Sequence, residues 1–148
     1  MSNSRIVPFE TTIHVRDHCL CLHAQRAARA LARRFDKELK PLGLTNGQFS
    51  LLMSLNRPLP PTLTSVADLL AMDRTTLTAA LKPLVRDGLV EIKPDEIDRR
   101  ARLLVITPSG LERLAAAVPI WHDTHEALEN DMPQSDFDRL RHDLMAIS

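Results

Sequence analysis

Residues Thr64–Gly110 read TSVADLLAMDRTTLTAALKPLVRDGLVEIKPDEIDRRARLLVITPSG, and this stretch decides the fold. The spacing predicts a short helix over Ser65–Ala71, with Ser65 placed to cap it and Asp68 three residues on. Met72-Asp73 forms the turn, and Asp73 is a second N-cap. The next helix, Arg74–Arg86, carries an apolar stripe at Leu77, Leu81 and Leu84/Val85, the spacing of one buried face. Its other face opens with Arg74, Thr75, Thr76 and Thr78, followed by Lys82. Asp87-Gly88 stops the helix, and Leu89–Lys93 and Arg102–Ile106 read as paired strands around a charged tip, Pro94–Ala101. Two helices joined by a tight turn, then a charged ribbon, match the grooves of duplex DNA in shape.

The 148 residues are enough for one domain with a sizeable core. With no Tyr, one Trp and four Phe, the core must be built from Leu and Ala, which favours helices. No apolar run approaches the ~18 residues that cross a bilayer, and no signal-peptide core opens the chain, so a cytoplasmic location without membrane contact is expected. Formal net charge is zero, but its distribution is uneven. Arg16–Arg57 holds eight Lys/Arg against three Asp/Glu, Pro108–Ser148 holds three against eight, and Thr62–Thr107 holds seven of each. A basic front half and an acidic end place phosphate contacts towards the front, although solvated helix faces would look the same.

Working outward, Met1–Thr12 has no pattern and reads as a loose arm. Val15–Leu39 reads as one long helix, with Leu20, Ala24, Ala27, Leu31, Phe35 and Leu39 along one side and Arg26, Arg29, Arg33 and Lys37 opposite. Lys40–Gly43 ends it. Thr45 through Gln48 is a capping box opening a helix to Leu55, and Pro58–Pro61 is a rigid loop. Thr107-Pro108 starts a helix expected to run to Glu129 and to bend at Pro119. Ser135–Ile147 is the last helix, with Phe137, Leu140, Leu144 and Ile147 on one side. The terminal helices close no core of their own, so packing against a second copy would bury their apolar faces. A two-fold dimer would set two recognition helices roughly 34–36 Å apart, one turn of DNA.

The ordered set Leu44-Thr45-x-x-Gln48-Phe49, Val66-Ala67-x-Leu69-Leu70, Arg74-Thr75-Thr76-Leu77-Thr78, Gly88-Leu89-Val90, Asp98-x-Arg100 and Ile106-Thr107-Pro108-x-Gly110 resembles the MarR family of bacterial transcriptional regulators. The resemblance covers the chain from about residue 17 to its end. It implies a fold that is mainly α with a small β-ribbon. One domain over 1–148 would comprise dimerisation helices over 15–42 and 108–148 and a winged helix-turn-helix over 45–107. It further implies a homodimer on a pseudo-palindromic double-stranded operator, most often a repressor released by a small-molecule inducer or by oxidation. Carried over residue by residue, the DNA-facing set is Ser65, Arg74, Thr75, Thr76, Thr78, Lys82, Asp98, Arg99 and Arg100. Arg74–Lys82 would lie in the major groove, where the threonine hydroxyls reach base edges or phosphates or else serve as caps. Arg100 would enter the minor groove with its guanidinium held by Asp98; the alternative is a surface ion pair of little weight. Pro83 departs from the pattern: it leaves the Ala79 carbonyl without a donor, so either the helix curves or its reading part ends near Lys82.

Three readings of Cys19 and Cys21 stay open. Cys21 precedes Thr45 by 24 residues, a position similar to the reactive cysteine of the OhrR branch. That branch supplies tyrosine hydroxyls where this chain has Gln25 and Phe35. Second, Cys19, Cys21 and His23, with His14, His18, His122 and His125, offer zinc-type ligands. Two residues apart on a helix are about 200° apart, however, so one ion cannot bind both cysteines and no mutual disulfide closes without unwinding. Third, both cysteines pack as small apolar residues. A ligand pocket is read at Arg26, Phe49, Met53, Trp121 and His125, where Trp121 either stacks on an aromatic anion or plugs the dimer core. No metal site or cofactor is expected. No phosphate loop, nucleophile elbow or metal-ligand motif points to an enzyme. The alternatives to a DNA-binding regulator are an interaction module that keeps the winged fold without DNA and a metal-responsive regulator.

Overall fold

The computed structural model describes residues 6–148. Helices α1 (Phe9–His18), α2 (Leu20–Leu39), α3 (Asn46–Leu55), α4 (Leu63–Leu69) and α5 (Arg74–Arg86) precede an antiparallel pair, β1 (Val90–Pro94) and β2 (Arg102–Ile106). Helices α6 (Pro108–Asp131) and α7 (Phe137–Ile147) complete the chain. The fold is mainly α with a small β-ribbon. Contacts group the chain into two units, one ending at Arg34 and the other running Phe35–Ser148. Among the described residues no helix is long and apolar enough to cross a membrane.

In the first unit the single helix expected over Val15–Leu39 is two. Cys19 leaves the helical region, with φ −71° and ψ 111°, and its N–H still closes α1 on the Val15 carbonyl at 2.8 Å. Neither glycine nor proline marks this break. The Cys19 carbonyl instead receives two donors from His23, the backbone N–H at 3.1 Å and the ring Nδ1–H at 2.7 Å. The arm expected over Met1–Thr12 is overturned in part: Phe9–Thr12 already belong to α1, while residues 1–5 lie outside the described set. None of α1 is buried, and Leu39 is the one buried residue of α2.

The second unit is built on leucine. Leu77, Leu81 and Leu84 of α5 pack with Leu51, Leu52 and Leu55 of α3, all at most 2% exposed, together with Val66, Val90 and Leu104. The expected Val85 is instead 39% exposed. Helix α3 begins at the capping box read from the sequence: Gln48 N–H donates to Thr45 Oγ1 and Thr45 N–H to Gln48 Oε1. Helix α4 starts two residues earlier than expected. Its N-cap is Thr62, whose Oγ1 accepts from Ser65 N–H at 3.1 Å, and Ser65 lies inside the helix with its own hydroxyl on the Thr62 carbonyl. Ala71 makes the turn into α5 in the left-handed region, φ 52°, where glycine is the usual residue. Helix α5 runs through Pro83 to Arg86, the bounds expected from the sequence.

The ribbon pairs Val90 with Ile106 and Pro94 with Arg102. Its second edge is covered too: Thr62 bridges Leu103, and Leu104 N–H donates to the Pro61 carbonyl. The proline-rich loop is thus a third partner of the ribbon. Thr107 caps α6 by accepting from Gly110 N–H at 3.0 Å and donates its hydroxyl proton to the Gly88 carbonyl at 2.6 Å. Helix α6 is continuous through Pro119, and Arg113 Nη1 donates to the Leu42 carbonyl at 2.8 Å.

A Cβ on Gly110 would strike the Leu89 carbonyl oxygen and stand 2.7 Å from Ile106 Cγ1. Gly110→Ala is expected to cost about 1–3 kcal/mol in urea unfolding, read as a lower midpoint at unchanged slope. Asp73 caps α5: its Oδ1 accepts from Thr76 N–H at 2.7 Å and its Oδ2 from the Thr76 hydroxyl at 2.9 Å. The Thr76 amide first, and its hydroxyl second, hold the Asp73 carboxyl below the usual carboxylate range. A depressed folded value contributes stability above the unfolded value, lost as pH falls through the folded one. Asp73→Ala should therefore be less stable than the wild type at neutral pH, and the gap should narrow below about pH 4. A gap that stays constant down to the acid limit would rule out the cap as its source.

Candidate nucleic-acid interface

With its leucines turned inward, α5 presents Arg74, Thr75, Thr78 and Lys82 to solvent. The threonines differ in what they offer. Thr76 gives its hydroxyl proton to Asp73, and Thr78 gives its proton to the Arg74 carbonyl at 2.7 Å, which leaves both as acceptors. The Thr75 hydroxyl has no partner among the described residues and is exposed. Ser65 is half-buried and directed at Thr62.

The wing tip is a folded loop. Asp95 Oδ1 accepts from Ile97 N–H at 3.0 Å, and Asp98 Oδ1 accepts from Arg100 N–H at 3.1 Å. The Ala101 N–H closes on the Asp98 carbonyl. Asp98 therefore holds the backbone of Arg100, and the guanidinium contact expected from the sequence is not formed, because the two-residue turn aims the carboxylate at the nearer amide. Arg99 and Arg100 are exposed, without an ion-pair partner among the described residues, and Ile97 between them and Glu96 is 96% exposed.

The acids and bases of this segment, equal in number, are held in different ways. Asp73, Asp95 and Asp98 are turned to backbone amides, Asp87 pairs with Arg86, and Glu91 pairs with Lys93. Arg102 donates to the Arg99 and Ala101 carbonyls. Arg74, Lys82, Arg99 and Arg100 are left exposed and unpaired among the described residues.

A second feature lies between α3, α4 and α6, a cleft of about 430 Å³. Phe49 and Trp121 form its aromatic wall, with rings stacked 6.4 Å apart, and Met53, Leu70 and Val118 line it with Ser50 and Ser54. His125 packs on Trp121 with ring centres 5.1 Å apart, touches Phe35 and Phe137, and pairs with Glu129 at 3.5 Å. It opens with Arg141 onto a neighbouring hollow instead of the cleft. Of the pocket residues expected from sequence, the structure brings together Phe49, Met53 and Trp121. Arg26 is exposed on α2, in the first unit. Sequence reasoning missed Leu69 and Leu70; the signal was an apolar pair at a helix end, with Leu69 62% exposed.

Cys19 is half-buried, Cys21 is exposed, and both are free thiols. Gln25, at a position where the OhrR branch was expected to carry tyrosine, donates Nε2–H to Cys21 Sγ at 3.4 Å. Among the described residues, no three His, Cys, Asp or Glu side chains gather where they could hold a metal ion.

A family model described as MarR family matches residues 44–101, the span from α3 to the wing tip. The transcriptional activatory protein BadR of Rhodopseudomonas palustris is 38% identical over 88 residues, 57% of this chain and 50% of BadR. The chain thus spans about half the length of that relative. The M. tuberculosis transcriptional regulator MosR, in a crystal structure in complex with DNA, is 34% identical, with a TM-score of 0.80 over 88% of this chain and 93% of MosR. CouR of Rhodococcus jostii, a transcriptional repressor bound to a 23-mer DNA duplex, is 28% identical, with a TM-score of 0.79 over 90% of this chain and 94% of CouR. With the helix-turn-helix and wing matched as one ordered unit and a relative similar along nearly its whole length, the chain belongs to the MarR family of transcriptional regulators.

Proposed function

We propose that the protein is a homodimeric, sequence-specific DNA-binding transcriptional regulator acting in the cytoplasm, a repressor released from a pseudo-palindromic operator by a small ligand or by thiol oxidation. The observation that carries the reading is the set of four unpaired cations, Arg74 and Lys82 on α5 and Arg99 and Arg100 at the wing tip. Helix α5 enters the major groove with Arg74, Thr75 and Lys82 outward. Thr76 and Thr78 act as acceptors and Ser65 supports the neighbouring helix. The wing tip lays Arg100 along the minor groove, its backbone fixed by Asp98. MosR and CouR, each in complex with DNA, support this use of the fold.

The dimer rests on unburied apolar faces. Leu140, Leu144, Met145 and Ile147 of α7 are 42–75% exposed, and Leu111 of α6 is 43% exposed. A second copy of the same helices would cover them. The Trp121 cleft suits an inducer with one flat aromatic face and a polar end, the first against Phe49 and Trp121, the second towards Ser50, Ser54 and His122.

DNA selected from a random pool should bind with an affinity that falls steeply between about 50 and 200 mM salt. Binding insensitive to salt would favour a protein-interaction module instead. Arg100→Ala should weaken binding by about 1–3 kcal/mol at fixed salt, with unfolding unchanged. Equal affinity would remove the wing from the interface. Sedimentation should return a dimer at micromolar concentration, and a stable monomer there would remove the paired-half-site geometry.

A further inference from the structure

Ile97, in the wing tip, is 96% exposed, more than any other large apolar side chain among the described residues. Single apolar residues on a surface are ordinary, and what sets Ile97 apart is the loop that carries it. That loop is closed at its neck, where Asp95 N–H donates to the Ala101 carbonyl at 3.1 Å. Ile97 N–H is tied to Asp95 Oδ1 at 3.0 Å, and Ala101 N–H to the Asp98 carbonyl at 2.9 Å. Arg102 Nη1 braces the far limb through the Arg99 carbonyl at 3.0 Å. A β-branched side chain on such a backbone is stiff at χ1, so its place is set before anything binds.

Its neighbours in the chain are all charged: Asp95 and Glu96 before it, Asp98, Arg99 and Arg100 after it. Asp95 and Asp98 are turned to backbone amides, whereas Arg99 and Arg100 are exposed without an ion-pair partner among the described residues. A protein partner would need a wider apolar area than one isoleucine to form the dry centre of an interface. The minor groove, about 6 Å wide, takes side chains one at a time. An apolar side chain with cations beside it suits that groove.

We propose that Ile97 is a specificity-determining residue that packs on the minor-groove floor beside Arg100 and selects A·T over G·C pairs there. This role rests on the DNA-binding reading above. The chemistry of the floor gives the preference its sign. An A·T pair presents only the adenine N3 and thymine O2 acceptors, whereas a G·C pair adds the guanine N2 amine. An isoleucine methyl over that amine meets a projecting donor and offers it no acceptor. The amine then loses water without replacement, which is costly. Arg100 contributes charge, and its contact is felt in the salt dependence. Ile97 contributes shape alone and releases no counterion.

The two roles separate in one experiment. Duplexes are selected from a random pool with the full-length protein, and hydroxyl-radical footprints mark the minor-groove flank that the wing protects. A·T, G·C and inosine·cytosine pairs are then placed at that flank. Inosine keeps the major-groove edge of guanine and lacks its N2 amine. The wild type should bind the A·T and inosine duplexes about tenfold more tightly than the G·C duplex. Ile97→Ala should bind all three alike, about tenfold more weakly than the wild type binds A·T. Its salt slope and urea midpoint should be those of the wild type. Ile97→Val, which keeps the β-branch, should retain most of the discrimination. Arg100→Ala should instead lower the salt slope by about one and keep part of the preference. Ile97→Ala with wild-type affinity and discrimination overturns the proposal and leaves the side chain to a protein partner. A preference for A·T that inosine does not share overturns it too, because the groove floor is then not what is read. A wild type with no salt-dependent binding to any selected duplex defeats the DNA reading and the proposal together.

Discussion

The side chain of Thr107 ties α5, the ribbon and α6 together. Its hydroxyl donates to the Gly88 carbonyl just after α5 and accepts from Gly110 N–H at the start of α6, while its own N–H donates to the Leu89 carbonyl. The exit of the recognition helix, the end of the ribbon and the entry to the long helix therefore meet at one residue. Gly110 follows from this closeness, since the Leu89 carbonyl occupies the place of its missing side chain. A hydroxyl satisfied on both sides and only 9% exposed is a rigid joint, so α5 and the wing move with the start of α6.

The recognition helix was legible because three independent signals agree there: a capping aspartate, a leucine stripe of helical period, and an Asp-Gly stop. Each is a local rule that tertiary packing then reinforces, which is why Arg74–Arg86 matches its expected bounds. The break at Cys19 carried no such signal. It has no proline or glycine, and the imidazole that supports it comes from His23, one turn further on, through a carbonyl that any helix would offer. Periodicity reads through a one-residue interruption, so the sequence predicts one helix. The third partner of the ribbon was hidden for a different reason: Pro60 and Pro61 look like a loop, but proline keeps its carbonyl, and the Pro61 carbonyl is what Leu104 uses. The start of α4 was misplaced because Thr62 and Ser65 are both good caps three residues apart, and the sequence does not rank them.

The neutral charge count of the reading segment misleads for a related reason. Net charge counts carboxylates equally, whereas geometry assigns them different work. Three acids lie against backbone amides and two against neighbouring cations, which leaves Arg74, Lys82, Arg99 and Arg100 without an ion-pair partner among the described residues. The residual acids still limit bulk attraction to a polyanion. The four cations therefore depend on placement: Arg74 and Lys82 on a fixed helix, and Arg99 and Arg100 on a loop whose turns are closed by Asp95 and Asp98.

The same geometry bears on how a ligand could reach the reader. Leu69 and Leu70, the residues of the Trp121 cleft that sequence missed, end α4 and lead directly into Ala71, whose left-handed backbone sets the angle of α5. A nonglycine residue in that region has little tolerance for further torsion. Only Ala71 and Met72 separate Leu70, in the cleft wall, from Asp73, the cap of α5. Trp121, on the opposite wall, belongs to α6, whose start is locked to the wing at Thr107. The two walls of one cleft thus connect to α5 and to the wing by separate short stretches of chain.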